Sequence, residues 1–221
     1  MIEPILPAGA VAVEARTDPP GLTAHPAEEP LLARVVDKRR REFTTVRDCA
    51  RRALVLLGHP AGPILPGQRG APVWPAGVVG SMTHCDGYRG AVLAPAAALA
   101  GVGVDAEPHA ALPDGVIRLV AGPGERDRLA GLAAARPQVW WDRLLFSAKE
   151  SVYKAWFPLT GRWLDFTEAD VSFAPAAGTF TARLLVPGPV VGGRRLDTLD
   201  GRFLVTDGLI LTLVAVPPAP V

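Results

Sequence analysis

Between Glu28 and Leu57 the apolar residues Leu32, Val36, Phe43, Val46, Ala50, Ala53 and Leu57 recur at spacings of three, four or seven, and Gly58 follows as a stop. That period predicts one amphipathic helix over this stretch. Val11 to Val13 is a short strand candidate ahead of it, and Pro60 to Pro75 is a loop by composition. Gly77 to Met82, Arg89 to Ala94 and Ala98 to Val104 then read as strands, broken by HCDGY and PAA. Helical patterns return at Asp114 to Val120, Glu125 to Ala135 and Gln138 to Trp156. Four strand candidates close the chain, at Asp170 to Ala174, Phe180 to Val186, Phe203 to Thr206 and Leu209 to Val216, the last two joined by the hairpin signal Asp207-Gly208. A helix followed by strands, then helices followed by strands, predicts two α+β halves packed together, each with an antiparallel or mixed sheet.

Composition narrows the function. Hydrophobic residues make up 49% of the 221, enough to bury a core. The net charge of +1 argues against binding a nucleic acid through bulk charge, so any anion site must be local. Cys49 and Cys85 lack zinc-ligand spacing and read as idle thiols of a reducing compartment. The start of the chain does not have the pattern of a signal peptide, and the apolar runs stop short of a membrane span. A soluble cytoplasmic protein with no membrane partner is the expectation.

Four stretches could carry chemistry. In GVGVDAEP, Asp105 and Glu107 lie two apart, so an extended backbone turns both carboxylates to one side, as a Mg²⁺ site requires; a polar strand end running into a Pro turn explains them equally. The GxG here is not followed by the helix a dinucleotide fold needs, which excludes that fold. In FSAKESVYKAWFP, the helical wheel sets Arg143, Ser147, Glu150 and Lys154 along one polar stripe opposite Leu144, Leu145, Ala148, Val152, Ala155 and Trp156. Alone, that is an ordinary surface Glu-Lys pair, except that Lys149 falls toward the apolar side. GSMTHCDGY offers Ser81, Thr83 and His84 to an anion from a Gly-bounded turn, or is simply a turn with a structural His. DKRRREFTTVRDCARR puts Arg40, Arg47 and Arg51 in one stripe, which suits phosphate as well as solvent.

The order of these motifs is more specific than any one of them. THCDG, GVDAEP about twenty residues on, and then KESVYK on a helix resemble the 4′-phosphopantetheinyl transferase superfamily, in its monomeric surfactin-synthetase-activating and enterobactin-type branch. EFTTVRDCAR, GAPVWPAGVVGSMTHCDGYRGAV and WDRLLFSAKESVYKAWFP look like its actinobacterial members, over roughly Arg34 to Val171. The resemblance implies two pseudo-twofold-related α+β halves with the active site in the cleft between them. Residues 1–103 would bind the adenine and phosphates of coenzyme A, and residues 104–221 would hold the metal, the catalytic helix and the carrier protein. It implies transfer of the phosphopantetheine arm of coenzyme A to a serine of an apo acyl or peptidyl carrier protein, with release of 3′,5′-ADP. Asp105, Glu107 and Glu150 would ligate Mg²⁺, or Mn²⁺ in its place. Glu150 or Glu107, directly or through a water, would take the serine proton, and Lys154 would neutralise the pyrophosphate. Thr83 and His84 match the phosphate-contacting segment; Arg39, Arg47 and Arg69 match positions at the 3′-phosphate and adenine end. Asp165 stands where Gly is frequent in relatives. The rival is a coenzyme A-binding relative without activity, which would not need the complete set Asp105, Glu107, Glu150 and Lys154.

Overall fold

The computed structural model describes residues 1–206 and 208–219, so Asp207 of the expected hairpin lies outside the described residues. The first half is built from β1 (Val11–Ala15), α1 (Asp37–Leu56), β2 (Val78–Cys85) and β3 (Tyr88–Pro95). Its three strands are antiparallel in the order β1-β3-β2, and α1 lies across β1 and β3. Cys49, Ala50, Ala53 and Leu54 of α1 bury against Val13, Ala91 and Leu93 of the sheet.

The predicted helix over Glu28 to Leu57 is broken in two. Pro30 removes a backbone donor, and residues 26–32 form a short 3₁₀ turn before α1 begins at Asp37. The turn aims Glu28 inward, where its carboxylate is fully buried and accepts from Arg51 (3.1 Å) and the Ile64 amide (2.8 Å).

The second half contains β4 (Gly101–Pro108), α2 (Val116–Val120), α3 (Pro123–Ala135), α4 (Trp141–Thr160), β5 (Ala169–Ala174), β6 (Thr179–Leu184), the short pair β7 (Val190–Val191) and β8 (Arg194–Arg195), β9 (Thr198–Thr206) and β10 (Leu209–Val216). Five of these strands form an antiparallel sheet in the order β4-β10-β9-β6-β5, with α4 packed on β4 and β10. Both halves are thus helix-on-antiparallel-sheet units, the α+β architecture expected. α4 continues four residues past Trp156, through Pro158, and ends on Gly161 in the left-handed conformation, whose amide reaches the Phe157 carbonyl (2.8 Å).

The two sheets meet edge to edge at β2 and β4, and the seam is made by side chains. Ser81 Oγ accepts from the Val104 amide and Thr83 Oγ1 from the Ala106 amide, each at 3.0 Å. Alternate hydroxyls on β2 thereby satisfy amides of β4 that would otherwise be buried unpaired. The segment expected to be a turn from Gly80 to Tyr88 is instead strand as far as Cys85, and the turn is only Asp86-Gly87. Ser81, Thr83 and His84 hence sit on a rigid ladder rather than a loop.

Candidate active site

The glycines of GVGVDAEP explain how the site is assembled. β4 presents Gly101, Gly103, Asp105 and Glu107 on one side, while Val102, Val104 and Ala106 enter the core on the other. A Cβ on Gly103 would stand 2.0 Å from the Ser151 carbonyl oxygen and 2.6 Å from the Ala155 amide. Only glycine lets the backbone of α4 lie directly on the strand. That contact brings the polar residues of α4 against the two acids farther along β4.

Asp105 is buried, and its Oδ1 accepts from Lys154 Nζ (2.6 Å) and Thr83 Oγ1 (3.3 Å). Lys154 also donates to the Val104 carbonyl (3.1 Å). Asp105 Oδ2 is buried without a partner. Glu107 Oε2 accepts from Arg143 Nη1 at 2.8 Å. Burial first, and then the charge of Asp105, push the Glu107 carboxyl above the ordinary carboxylate range, with Arg143 pulling the other way. Glu150 rises for the same two reasons, burial and Asp105, with Lys154 opposing. The three carboxylates therefore feel one another, yet among the described residues no three acids, His or Cys draw together into a ready-made metal cluster. Asp105 is held by Lys154 and Glu107 by Arg143. The donor set still fits a hard cation, because carboxylate oxygens are what Mg²⁺ selects and one of them is buried and unused.

A cleft of about 540 Å³ opens between the halves. It is lined from the first half by Arg39, Phe43, Arg47, Arg69, Trp74, Thr83 and His84, and from the second by Glu150, Tyr153, Lys154 and Phe157. Arg39, Arg47, Arg69, Thr83 and His84 thus face one space with Glu150 and Lys154, whereas Arg40 and Arg51 of the arginine stripe do not, being paired with Glu29 (3.0 Å) and Glu28 (3.1 Å). Asp105 and Glu107 are not in its lining; Asp105 sits behind Lys154.

Arg47 reaches the cleft from a buried position, its Nε on the Ile64 carbonyl (3.0 Å) and its guanidinium over the Phe43 ring (3.4 Å). Burial lowers its pKa to about 10, against the pull of Glu28, which leaves it charged at neutral pH. His84 Nε2 is buried with no hydrogen bond, and burial followed by the Arg39 charge holds the imidazole below its usual value. Arg69, at φ 53°, is the one non-glycine residue described with a positive φ, and it places its guanidinium 5.5 Å over Trp163 of the other half. A non-glycine residue in that region carries strain, which is a common mark of functional loops.

One expectation on α4 needs correction, that for Ser147, while the placing of Lys149 toward the apolar side holds. Ser147 is not on a wet stripe: it is fully buried and hydrogen-bonded to Thr212 (2.9 Å), because β10 covers that side of the helix. Lys149 is buried as well, with its ammonium on Glu125 (2.7 Å) and on the Val120 and Phe166 carbonyls (2.8 and 2.7 Å). Every donor of Lys149 is thereby satisfied, and its role is to bind α2, α3 and the segment after α4 together. Asp165 caps that segment, accepting from the Thr167 amide (2.9 Å), which glycine could not do. The Arg143–Glu107 pair was within reach of the sequence, since Arg143 lies on the same stripe as Glu150; only the register of α4 on β4 was lacking.

The cleft thus carries Arg39, Arg47 and Arg69 on the wall of the first α+β half and Glu150 and Lys154 on that of the second. Residues 27–94 match the 4′-phosphopantetheinyl transferase N-terminal domain, and residues 101–189 match the 4′-phosphopantetheinyl transferase superfamily. The 4′-phosphopantetheinyl transferase Svp of Streptomyces mobaraensis is 61% identical over 98% of this chain and 89% of its own length. Npt of Nocardia iowensis is 52% identical over 97% and 99%, and PptT of Mycobacterium tuberculosis 51% over 91% and 89%; both are 4′-phosphopantetheinyl transferases by name. Near-complete coverage at such identity, joined to the site geometry, establishes that this chain belongs to the 4′-phosphopantetheinyl transferase superfamily.

Proposed function

We propose that this protein moves the 4′-phosphopantetheine arm of coenzyme A onto a serine of an apo acyl or peptidyl carrier protein, and releases 3′,5′-ADP. The single observation that supports the chemistry best is the stacked pair on β4 and α4: Asp105, buried with one free oxygen, against Lys154, with Glu150 one turn before it on the helix. Attack of a serine hydroxyl on the β-phosphorus builds charge on the phosphoryl oxygens, so positioning and neutralisation are most of the catalysis. Lys154 supplies a cation at the cleft wall, and Arg39, Arg47, Arg69 and His84 supply donors for the nucleotide and its 3′-phosphate.

Asp105, Glu107 and Glu150 would hold Mg²⁺, which polarises pyrophosphate oxygens when bound. Glu150, a cleft-lining carboxylate whose pKa burial raises, is suited to receive the serine proton. The first half is thus the nucleotide side and the second the carrier side. Among the described residues no helix is long and apolar enough to cross a membrane.

The test is to incubate the protein with coenzyme A, Mg²⁺ and a panel of apo acyl and peptidyl carrier proteins, then weigh each carrier. The expected result is a gain of one phosphopantetheine on at least one class. No gain on any carrier would sink the proposal.

A further inference from the structure

The turn that opens α4 is fastened residue by residue to the chain leaving β4. The Trp140 amide donates to His109 Nε2 (3.2 Å), Asp142 Oδ2 accepts from the Leu112 amide (2.9 Å), and Arg143 donates to the Ala110 carbonyl through Nε (3.2 Å) and to the Ala111 carbonyl through Nη2 (2.8 Å). The remaining arm of the same guanidinium, Nη1, holds Glu107 Oε2 at 2.8 Å. Side chains of this pair are only 16% and 19% exposed, so it is screened far less than a surface salt bridge.

Glu107 needs such a tether. It is repelled by Asp105 on its own strand and by Glu150, and a glutamate has three rotatable bonds with which to swing away from them. Arg143 occupies one carboxylate oxygen, while among the described residues Oε1 makes no hydrogen bond. Asp105 is treated in parallel: Lys154 occupies Oδ1, and Oδ2 is buried and unpartnered. Each acid of the pair is thus fixed by a cation through one oxygen and left with the other available, and both project from the same side of β4. We infer that Arg143 is a positioning residue that presents Glu107 as a ready metal ligand. This inference rests on the metal reading proposed above, and it assigns Arg143 a task through Glu107 rather than contact with the reacting atoms.

The test uses Mn²⁺ as the probe, with free ion counted by electron paramagnetic resonance, alongside steady-state kinetics on the intact protein. Partners that orient metal ligands typically contribute about 10- to 100-fold in affinity. Arg143→Met is therefore expected to weaken Mn²⁺ binding by about that factor and to lower kcat, while KM for coenzyme A stays within about twofold because the nucleotide donors lie in the other half. In a Glu107→Gln background the same substitution should weaken Mn²⁺ no further, since its target is gone. Arg143→Gln goes through the same cycle; it keeps an amide donor for the loop carbonyls but no charge for Glu107, and the same pattern is expected. Additive losses in the cycle, unchanged Mn²⁺ binding in Arg143→Met and Arg143→Gln, or a rise in KM for coenzyme A without a kcat loss would each overturn the inference. Wild-type protein that modifies carriers but binds no Mn²⁺ would instead remove the metal reading and this inference with it.

Discussion

Two helices of twenty residues, α1 and α4, each lie on an antiparallel sheet and each face the cleft, but they serve it differently. α1 buries eight residues and reaches the cleft with long arginines, among them the exposed Arg39. α4 buries eleven, and its backbone is seated on Gly103. In α1 the exposed Arg39 is an appendage of a helix that would pack without it, whereas Arg47 is itself part of the packing. In α4 the helix axis itself sets the distance between Lys154 and Asp105, so core and site are one construction. Damage to α4 should therefore cost rate and stability together where it touches packing, whereas loss of the exposed Arg39 from α1 should cost ligand affinity alone.

The largest effect tests the cleft face of α4. Glu150→Gln keeps the size of the side chain and removes its charge; transfer should fall by about 10²–10³-fold, the scale of losing one electrostatic group at a reacting centre. Glu150 makes no ion pair among the described residues and its charge is disfavoured by burial and by Asp105, so the urea midpoint should not fall and should rise slightly if it moves. A rate within a few-fold of wild type would end the assignment of Glu150 to the chemistry. The buried face comes next. Lys149→Met leaves Glu125 buried, still accepting only from the Gly122 and Val171 amides (2.9 and 2.8 Å). Removing one partner of a buried pair costs about 3–5 kcal/mol, read from urea unfolding. Adding Glu125→Gln should recover part of that loss; no recovery would mean that Lys149 matters through its carbonyl contacts alone.

Most of the elements were legible in the sequence, because alternation and helical period report burial directly. What stayed illegible was long-range. Asp105 and Glu107 could be placed on one side of a strand, but nothing local says that Gly103 admits a helix backbone or that Arg143 lands on Glu107. Ser147 was misplaced because a helical wheel knows the period and not the neighbours, and Thr212 of β10 lies 65 residues on; the wheel set Lys149 toward the apolar side but could not name Glu125, 24 residues back, as its partner. The nucleotide wall was named residue by residue only through family resemblance, since arginines on a helix look the same whether they meet phosphate or water. Pro30 was visible, and its power to split the helix followed from its missing donor.

On α1 the smaller effect is on binding. Arg39 is itself half exposed and stands 3.8 Å from Glu42, a long i,i+3 contact contributing at most about 0.5 kcal/mol to stability. Arg39→Ala should leave the melting temperature unchanged and raise KM for coenzyme A by about tenfold, the scale of one charged hydrogen bond, with dephospho-coenzyme A much less affected if the lost partner is the 3′-phosphate. Equal losses for both substrates would place Arg39 elsewhere on the nucleotide.

The smallest effect concerns the strand beside α1. Arg89 is buried on β3 and forks onto Asp18, both nitrogen–oxygen distances being 2.8 Å, while its third nitrogen holds the Cys85 carbonyl (2.7 Å). Arg89 is paired in register with His84, so this fork braces the ladder position from which His84 faces the cleft. Burial raises the Asp18 pKa, but hydrogen bonds from Arg89 and Thr45 and the Arg89 charge outweigh it, and the net shift is downward. A carboxylate whose folded pKa is depressed contributes stability above its unfolded pKa and loses it as pH falls through the folded value. The stability difference between wild type and Asp18→Asn should thus be constant from neutral pH down to about pH 4, near the unfolded Asp value, and shrink below that. Taking the difference between the two proteins cancels the other carboxylates that protonate in the same range. A difference that persists unchanged in strong acid would mean that Asp18 acts through shape and not charge, and the brace under His84 would then have to be sought in Glu42, which also approaches Arg89 (3.7 Å).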